Sequence, residues 1–301
     1  MKIGALPRYS SERANRFLPR KIMLSVVIPV LNEAPNLRDL LQEIVAALES
    51  VVEFEIVLVD DCSTDQTEEM TPALLAEFPT LRVLRHDRRS GQSAGLRSGI
   101  RAAKFPWIAT LDGDGQNDPA DLPKLWAARP TQQALDPSVD ATPPATTSAT
   151  ELPKWMAIGH RVDRRDTGAK RFASRFANGL RRRALKDDTP DTGCGIKIFP
   201  RELFLQLPWF SHIHRFLPAL IRRAGGTSVS IPVSHRERTR GQSKYGVLDR
   251  AWVGIWDLMG VMWLLRRNAV PQVEEVTTTK PATQSADTPA ASNPDLESAA
   301  R

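Results

Sequence analysis

Four short apolar runs punctuate the first part of the chain: IMLSVVIPV (22–30), FEIVLV (54–59), LRVLR (81–85) and WIATL (107–111). Apolar runs of this length, bounded by polar and turn residues, are the mark of strands buried on both faces. Each is followed by a helical spacing. The clearest places Leu37, Leu40, Leu41, Ile44, Val45 and Leu48 at i, i+3, i+4, i+7, i+8 and i+11. Strands alternating with helices predict an α/β fold of βαβ units, a mostly parallel sheet with helices on both faces. Such sheets bind ligands beyond the carboxyl ends of their strands, so the residues just after each strand are where chemistry is expected.

Three stretches lack periodicity. Residues 1–20 and 271–301 read as disordered tails, the first basic and without the apolar stretch of a secretory signal. ARPTQQALDPSVDATPPATTSATELPK (128–154) reads as a flexible surface insert. These bounds predict one catalytic domain over 21–250, interrupted by the insert. An amphipathic or interfacial helix then follows over 251–268. Its core, AWVGIWDLMGVMWLL (251–265), carries Asp257 near the middle and is short for a bilayer span, while Trp252, Trp256 and Trp263 suit a membrane interface. Interfacial, core-packed and spanning helices all stay open at this point.

With 301 residues, 41% of them hydrophobic, the chain can bury one large core. Its formal charge of +6 and pI of about 9.6 favour an anionic partner: a nucleotide diphosphate, a lipid phosphate, a bilayer surface or nucleic acid. Charge alone does not choose among them. Cys62 and Cys194 have no metal-ligand spacing, which argues against a disulfide framework or a zinc site and suggests a reducing compartment. The five histidines show no ligand spacing either, and His212 and His214 are expected to be surface or structural residues.

The strand ends carry polar clusters: Pro29-Val30-Leu31-Asn32-Glu33, then Asp60-Asp61-Cys62-Ser63-Thr64-Asp65, then Asp112-Gly113-Asp114-Gly115-Gln116. Ser63 or Thr64 could simply cap a helix starting near Asp65, but capping leaves the second acid unexplained. Asp112 and Asp114 are the sharpest signal. Two carboxylates one residue apart on a turn can both face a hard divalent cation that bridges diphosphate oxygens. A plain turn is the alternative; a calcium loop is disfavoured by Pro123 at its twelfth position.

The ordered series VVIPVLNE, IVLVDDCSTD, GQSAGLRSGI, IATLDGDGQNDP, DTGCGIKIF and RTRGQSKYG resembles the motif set of family 2 glycosyltransferases, and the last two resemble its polyprenyl-phosphate (dolichyl-phosphate mannosyltransferase-like) branch. The likeness implies the GT-A nucleotide-diphospho-sugar transferase fold over roughly 24–267. It implies that Pro29, Leu31, Glu33 and Asp60 or Asp61 hold the nucleoside of a UDP- or GDP-sugar, and that Asp112, Asp114 and Gln116 hold Mg2+ or Mn2+ with the donor diphosphate. Leu31 stands where the family often has Tyr, so the contact to the base there is apolar. The likeness also nominates Arg161, with Arg164 and Arg165 beside it, and Arg238 and Lys244 of the late basic loop as phosphate ligands. Asp191 falls to the acceptor side.

In GHRVDRRDTGAKRFASRFANGLRRRALK (159–186), Arg171, Arg175, Arg182 and Lys186 can share one helix face while Phe172, Phe176 and Leu180 line another. That suits a phosphate at a membrane, or an ordinary solvated basic face. A polyprenyl-phosphate acceptor is largely ionised at neutral pH and needs no strong base, whereas a sugar hydroxyl would want one, for which Asp191 is the candidate. The reading is therefore a metal-dependent, inverting transferase of cell-envelope glycan or lipid biosynthesis, peripheral at the cytoplasmic face of the membrane, with direct or partner-protein anchoring and no nucleic-acid role. A nucleotidyltransferase would want a Gly-rich basic loop after the first strand, and a plain binding module would not explain acids at three strand ends.

Overall fold

The computed structural model describes residues 23–130, 152–162, 189–236 and 247–267, together with 179, 181, 183–185 and 187. In chain order the elements are β1 (Met23–Val30), α1 (Ala34–Leu48), β2 (Glu53–Asp60), α2 (Thr67–Glu77), β3 (Leu81–Arg85), α3 (Gln92–Ala102), β4 (Trp107–Thr110), α4 (Leu122–Ala127), β5 (Trp155–Arg161), β6 (Lys197–Pro200), α5 (Arg201–Gln206), α6 (Leu217–Arg223), β7 (Thr227–Val233) and α7 (Val247–Arg266). The strands form one seven-stranded sheet in the order β3-β2-β1-β4-β6-β5-β7. Only β6 runs antiparallel to its neighbours; the other pairings are parallel. The four leading strands lie within a residue of the bounds expected from the sequence.

Val26, Val27 and Ile28 of β1 and Ile56 to Val59 of β2 are all fully buried, without alternation, because helices cover both faces of the sheet. Helix α1 buries Leu37, Leu40, Leu41, Ile44 and Leu48, the stripe its spacing predicted, and Pro35 in its first turn costs no hydrogen bond. Each such side chain contributes about 1.5–3 kcal/mol of transfer free energy. Helix α3 lies unusually close to the sheet. A Cβ on Gly99 would overlap Val27 Cγ1, and one on Gly95 would sit 2.8 Å from Pro29 Cβ. That approach carries the start of α3, Gln92, to the carboxyl edge of β1 and β4.

Because β6 is antiparallel, its amino end lies at the carboxyl edge of β4 and β5. Lys197 is in register with Thr110 on one side and Ile158 on the other. The 191–195 segment is thereby delivered to the edge where the acids sit. The flanks of the expected insert are built into the fold: Ala128 and Leu152 pack against the core, and Arg129 lies 3.9 Å over the Trp126 ring. Residues 131–151, 1–22 and 268–301 lie outside the described residues.

Along residues 254–266, helix α7 uses one face only. Val261 is buried and Leu258, Met262, Leu264 and Leu265 pack on the core, while Ile255, Trp256, Met259 and Trp263 are 51, 58, 46 and 60% exposed. Asp257 faces the protein, with an oxygen 2.9 Å from His212 Nδ1. No described helix is long and apolar enough to cross a membrane.

Candidate active site

The loops after β1 and β2 are stitched together. Asn32 takes a left-handed conformation (φ 53°), its amide donates to Ser63 Oγ at 2.8 Å, and its side-chain oxygen accepts from the Thr64 amide at 2.7 Å. Asp65 reaches across as well, accepting from the Ala34 amide at 3.0 Å and from the Thr67 amide and hydroxyl. Burial raises the Asp65 carboxyl, but the Thr67 hydroxyl and the amides outweigh it and hold the group below its usual range. Helix α2 starts at Thr67, so neither Ser63 nor Thr64 caps it. Their work is to brace the neighbouring loop.

Asp60 and Asp61 are both buried at the end of β2. Asp60 Oδ1 accepts from the Ser63 amide at 2.9 Å, and its Oδ2 faces Arg85 Nε at 3.6 Å. Asp61 is more heavily engaged. Its Oδ1 accepts from the Ser90 amide at 2.8 Å and lies 2.7 Å from His86 Nδ1, and its Oδ2 accepts from the Gly91 amide at 2.7 Å. His86 Nε2 in turn lies 2.9 Å from Ser98 Oγ. Asp61 thus fixes the β3–α3 loop, where Gly91 holds a φ of 89° that favours glycine. Half-buried Pro29, Leu31 and Glu33 share this edge; Glu33 Oε2 accepts from the Asn36 side chain at 2.9 Å.

After β4 the chain turns through Asp112, Gly113 and Asp114. A Cβ on Gly113 would lie 2.6 Å from Val30 Cγ1, so only glycine lets this turn rest on β1. Gln92 donates to Asp112 Oδ1 at 2.7 Å, and the Gln116 amide donates to Asp114 Oδ1 at 3.2 Å. The Asp112 carboxyl is pushed up to about 6, first by burial and then by the charge of Asp114, against the pull of Lys197, Arg161 and the Gln92 amide. Two acids crowded this way repel each other when both are ionised. The next residues are pinned by the chain that leaves β7. Asn117 bridges to His235, the Arg236 amide donates to the Gln116 carbonyl at 3.0 Å, and the Arg236 guanidinium pairs with Asp118 at 2.7 Å and Glu43 at 2.6 Å.

On the far side of the edge, Arg161 at the end of β5 makes a bidentate pair with Asp191, Nε to Oδ2 at 2.6 Å and Nη2 to Oδ1 at 2.8 Å. Burial lowers the guanidinium, but Asp191 more than reverses this and holds it firmly charged. Gly195 follows. A Cβ there would overlap Asp112 Oδ2 and Asn117 Oδ1, so the 191–195 segment rests against Asp112 only because it lacks a side chain at that point. Behind it Lys197 is buried and donates to the Cys194 carbonyl, its ammonium lowered by burial despite nearby Asp112 and Asp191. His214 is half-buried, with Nδ1 2.7 Å from Ser93 Oγ, and is held well below the usual imidazole range by desolvation and then by Lys197.

The structure therefore brings Pro29, Leu31, Glu33, Asp60, Asp61, Asp112, Asp114, Gln116, Arg161 and Asp191 to one edge of the sheet. Arg238 and Lys244 lie outside the described residues, as do Arg164, Arg165, Arg171, Arg175, Arg182 and Lys186. Gln92, Gly195, Lys197 and Asn117 were not anticipated. A lysine inside the apolar run GIKIF was the one visible hint, since a cation amid buried strand residues demands a partner. Among the described residues, no group of three or more His, Cys, Asp or Glu could hold a metal ion.

The family model of glycosyl transferase family 2 matches residues 25–206. Among curated proteins, dodecaprenyl-phosphate galacturonate synthase of Rhizobium johnstonii is 32% identical over 84% of this chain and 70% of its own length. Undecaprenyl-phosphate 4-deoxy-4-formamido-L-arabinose transferase of Edwardsiella ictaluri is 33% identical over 75% of this chain and 63% of its own. The chain thus spans about two thirds of these relatives. Among solved structures, a mannosyltransferase of Pyrobaculum calidifontis in complex with GDP-Man and Mn2+ is similar at a TM-score of 0.55 and 21% identity, over 84% of this chain and 67% of that one. Glucosyl-3-phosphoglycerate synthase of Mycobacterium tuberculosis with Mn2+, UDP and phosphoglyceric acid follows at 0.54 and 19%, over 84% and 80%. The fold is that of these GT-A glycosyltransferases, as the motif series implied.

Proposed function

The chain belongs to glycosyl transferase family 2 and is a glycosyltransferase; on that premise we propose that it moves a sugar from a nucleotide-diphosphate sugar to the phosphate of a polyprenyl phosphate, with Mg2+ or Mn2+, in cell-envelope glycan or lipid synthesis. The observation that carries the reading is the crowded carboxylate pair Asp112 and Asp114 at the end of β4, facing Arg161 across the strand edge. The relatives' names, both polyprenyl-phosphate sugar transferases or synthases, support the acceptor class. Structural neighbours carrying Mn2+ with UDP or GDP-mannose support the donor class.

The residues fit a divalent cation of the magnesium kind. Such ions are commonly bound by one or two carboxylates, with substrate phosphate oxygens and water completing the shell, so a larger protein cluster is not required. Asp112 and Asp114 would supply the carboxylates, with Gln116 beside them. When bound, the cation would neutralise the diphosphate and so ease departure of the nucleoside diphosphate.

The chain's own groups do the rest. Pro29, Leu31, Glu33 and the Asp60–Asp61 corner would enclose the nucleoside. Arg161, kept charged and oriented by Asp191, would hold phosphate oxygens near the reacting carbon. Arg238 and Lys244 follow Arg236, which is fixed beside Gln116, and would close over the diphosphate from there. Both Asp191 oxygens already receive guanidinium N–H groups, so the carboxylate is committed to Arg161 and not to a hydroxyl. A lipid phosphate needs none, being largely dianionic near neutral pH with a second pKa of about 6. Its oxygen would attack the anomeric carbon opposite the departing diphosphate and invert it. Positioning and charge carry the rate.

Such an acceptor is met only at a bilayer, so the enzyme would work as a peripheral protein of the cytoplasmic face, directly or through a membrane-protein partner. The test is to incubate the purified chain and Mn2+ with a panel of labelled nucleotide sugars plus polyprenyl phosphate. Label in the organic phase is expected with one donor. Label that appears only on a hydroxyl acceptor would replace this reading with a sugar-hydroxyl transferase.

A further inference from the structure

Away from the strand edge, a groove of about 430 Å3 opens between α6 and α7. Leu185, Met262 and Leu265 form an apolar floor, and Arg222, Arg223 and Arg266 form the rim; no carboxylate lines it. Arg223 is held in place, donating from Nε to the Leu264 carbonyl at 3.2 Å and from Nη2 to the Arg267 carbonyl at 3.0 Å, which ties the end of α7 to α6. Arg222 and Arg266 are exposed.

The groove borders the exposed face of α7. With 3.6 residues per turn, Met262 and Leu265 stand on the flank of the stripe made by Ile255, Trp256, Met259 and Trp263, and Arg266 joins the two. Arg267 lies 5.7 Å over the Trp263 ring, extending the cationic end of the stripe. Indoles beside guanidinia, above an apolar slot, match the layer where phosphates meet acyl chains. A guanidinium also binds phosphate oxygens in bidentate fashion.

Resting on the reading that the acceptor is presented at a bilayer, we propose that this groove binds the phosphate of an anionic phospholipid, with the first acyl methylenes on the Leu185–Met262–Leu265 floor, and so lays α7 flat on an anionic leaflet. The site lies apart from the residues assigned to donor and acceptor. Asp257, the one acid among the described side chains of α7, is turned inward to His212 and so away from the leaflet.

The full chain is tested by flotation with phosphatidylcholine vesicles, with and without phosphatidylglycerol, in the absence of metal, donor and acceptor. Wild type is expected to float with the anionic vesicles and to lose about tenfold or more in affinity on Arg222→Glu/Arg266→Glu, where the surface charge term is largest. Salt should remove this difference. Trp256→Ala/Trp263→Ala should weaken binding at both low and high salt. Equal binding to both vesicle types, or unchanged binding by the arginine variant, overturns the proposal. Stabilisation by inorganic phosphate with no vesicle binding would identify a free-phosphate site instead. Loss of a dimer in the arginine variant, with vesicle binding intact, would identify a contact between copies. Flotation requires no turnover, so its failure leaves the transfer reading standing, and failure of transfer leaves the flotation result standing.

Discussion

Asp112→Asn separates the metal assignment from every question about the acceptor. In the metal-free protein the Asp112 carboxyl titrates near 6, against a usual value of 3.8, raised by burial and by Asp114. A rise of about two units corresponds to about 3 kcal/mol at 1.36 kcal/mol per unit. The folded pKa is the higher one, so the fold favours the neutral carboxyl. Its contribution to stability is fully present below about pH 4 and is lost as the pH rises through about 6. Asparagine cannot ionise and keeps an oxygen for the Gln92 amide, so it avoids the penalty. The metal-free variant should therefore match wild type near pH 4 and exceed it near pH 7 by up to about 3 kcal/mol, roughly 6–10 °C in Tm for a chain of this size.

Divalent cation reverses the order. Wild type at about a hundred times its Kd for Mn2+ with nucleoside diphosphate gains about 2.7 kcal/mol, whereas the variant, lacking one charged ligand, gains little. Sugar transfer is lost in Asp112→Asn and in Asp114→Asn. Thermal melts across this pH range, with and without Mn2+ and UDP or GDP, read the whole scheme. A variant less stable than wild type in metal-free buffer near pH 7, or one that Mn2+ stabilises as much as wild type, would refute the reasoning.

Gly195→Ala forces a methyl onto Asp112 and Asn117, and is expected to cost about 1–3 kcal/mol of stability and most of the Mn2+ response, measured by melts and by Mn2+ titration of activity. Gly193→Ala, whose Cβ would lie 3.4 Å from Arg161 Nη2, is the milder control. Arg161→Met alone leaves Asp191 buried without its partner and should destabilise by about 3–5 kcal/mol. Adding Asp191→Leu should recover most of that in chemical denaturation without restoring transfer. Excising residues 131–151 while keeping Ala128 and Leu152 is predicted to leave turnover within about twofold of wild type, because a Pro- and Thr-rich composition offers little apolar surface to the core. A large loss in a transfer assay would place that segment in the acceptor site.

How much the sequence disclosed depends on how local each signal is. β1 to β4 and α1 were legible because each is an uninterrupted apolar run or a clean helical stripe, and Asp112-Gly113-Asp114 because two acids and a glycine follow such a run directly. β6 is four residues long and begins with a lysine, and its antiparallel direction follows from the path of the chain before it. β7 reads poorly because it is an edge strand, exposed along TSVS and carrying Pro232, so it shows no buried run. Gln92 was invisible for another reason. Its reach to Asp112 depends on Gly95 and Gly99 letting α3 sink onto β1, a contact between elements that no spacing within α3 expresses. The flank residues of the insert were misjudged in the same way: Ala128 and Leu152 look like linker by composition and are packed by their neighbours.

The acids at the strand ends looked alike in the sequence but divide into two kinds in the fold. Asp60, Asp61 and Asp65 accept from backbone amides of the loops around them, and such donors stabilise a carboxylate and cost no side-chain ordering elsewhere. Asp112 and Asp114 instead crowd each other, and the cations that act on Asp112 among the described residues, Lys197 and Arg161, are committed to the Cys194 carbonyl and to Asp191. The first kind makes the loops rigid. The second stores unfavourable charge at the point those loops surround. The loops braced by those carboxylates are what let the crowded pair persist, since a softer loop would relax by turning Asp112 toward water. The strain in the pair and the order in its surroundings are two sides of one arrangement, and on the proposed reading a divalent cation would relieve the first without disturbing the second.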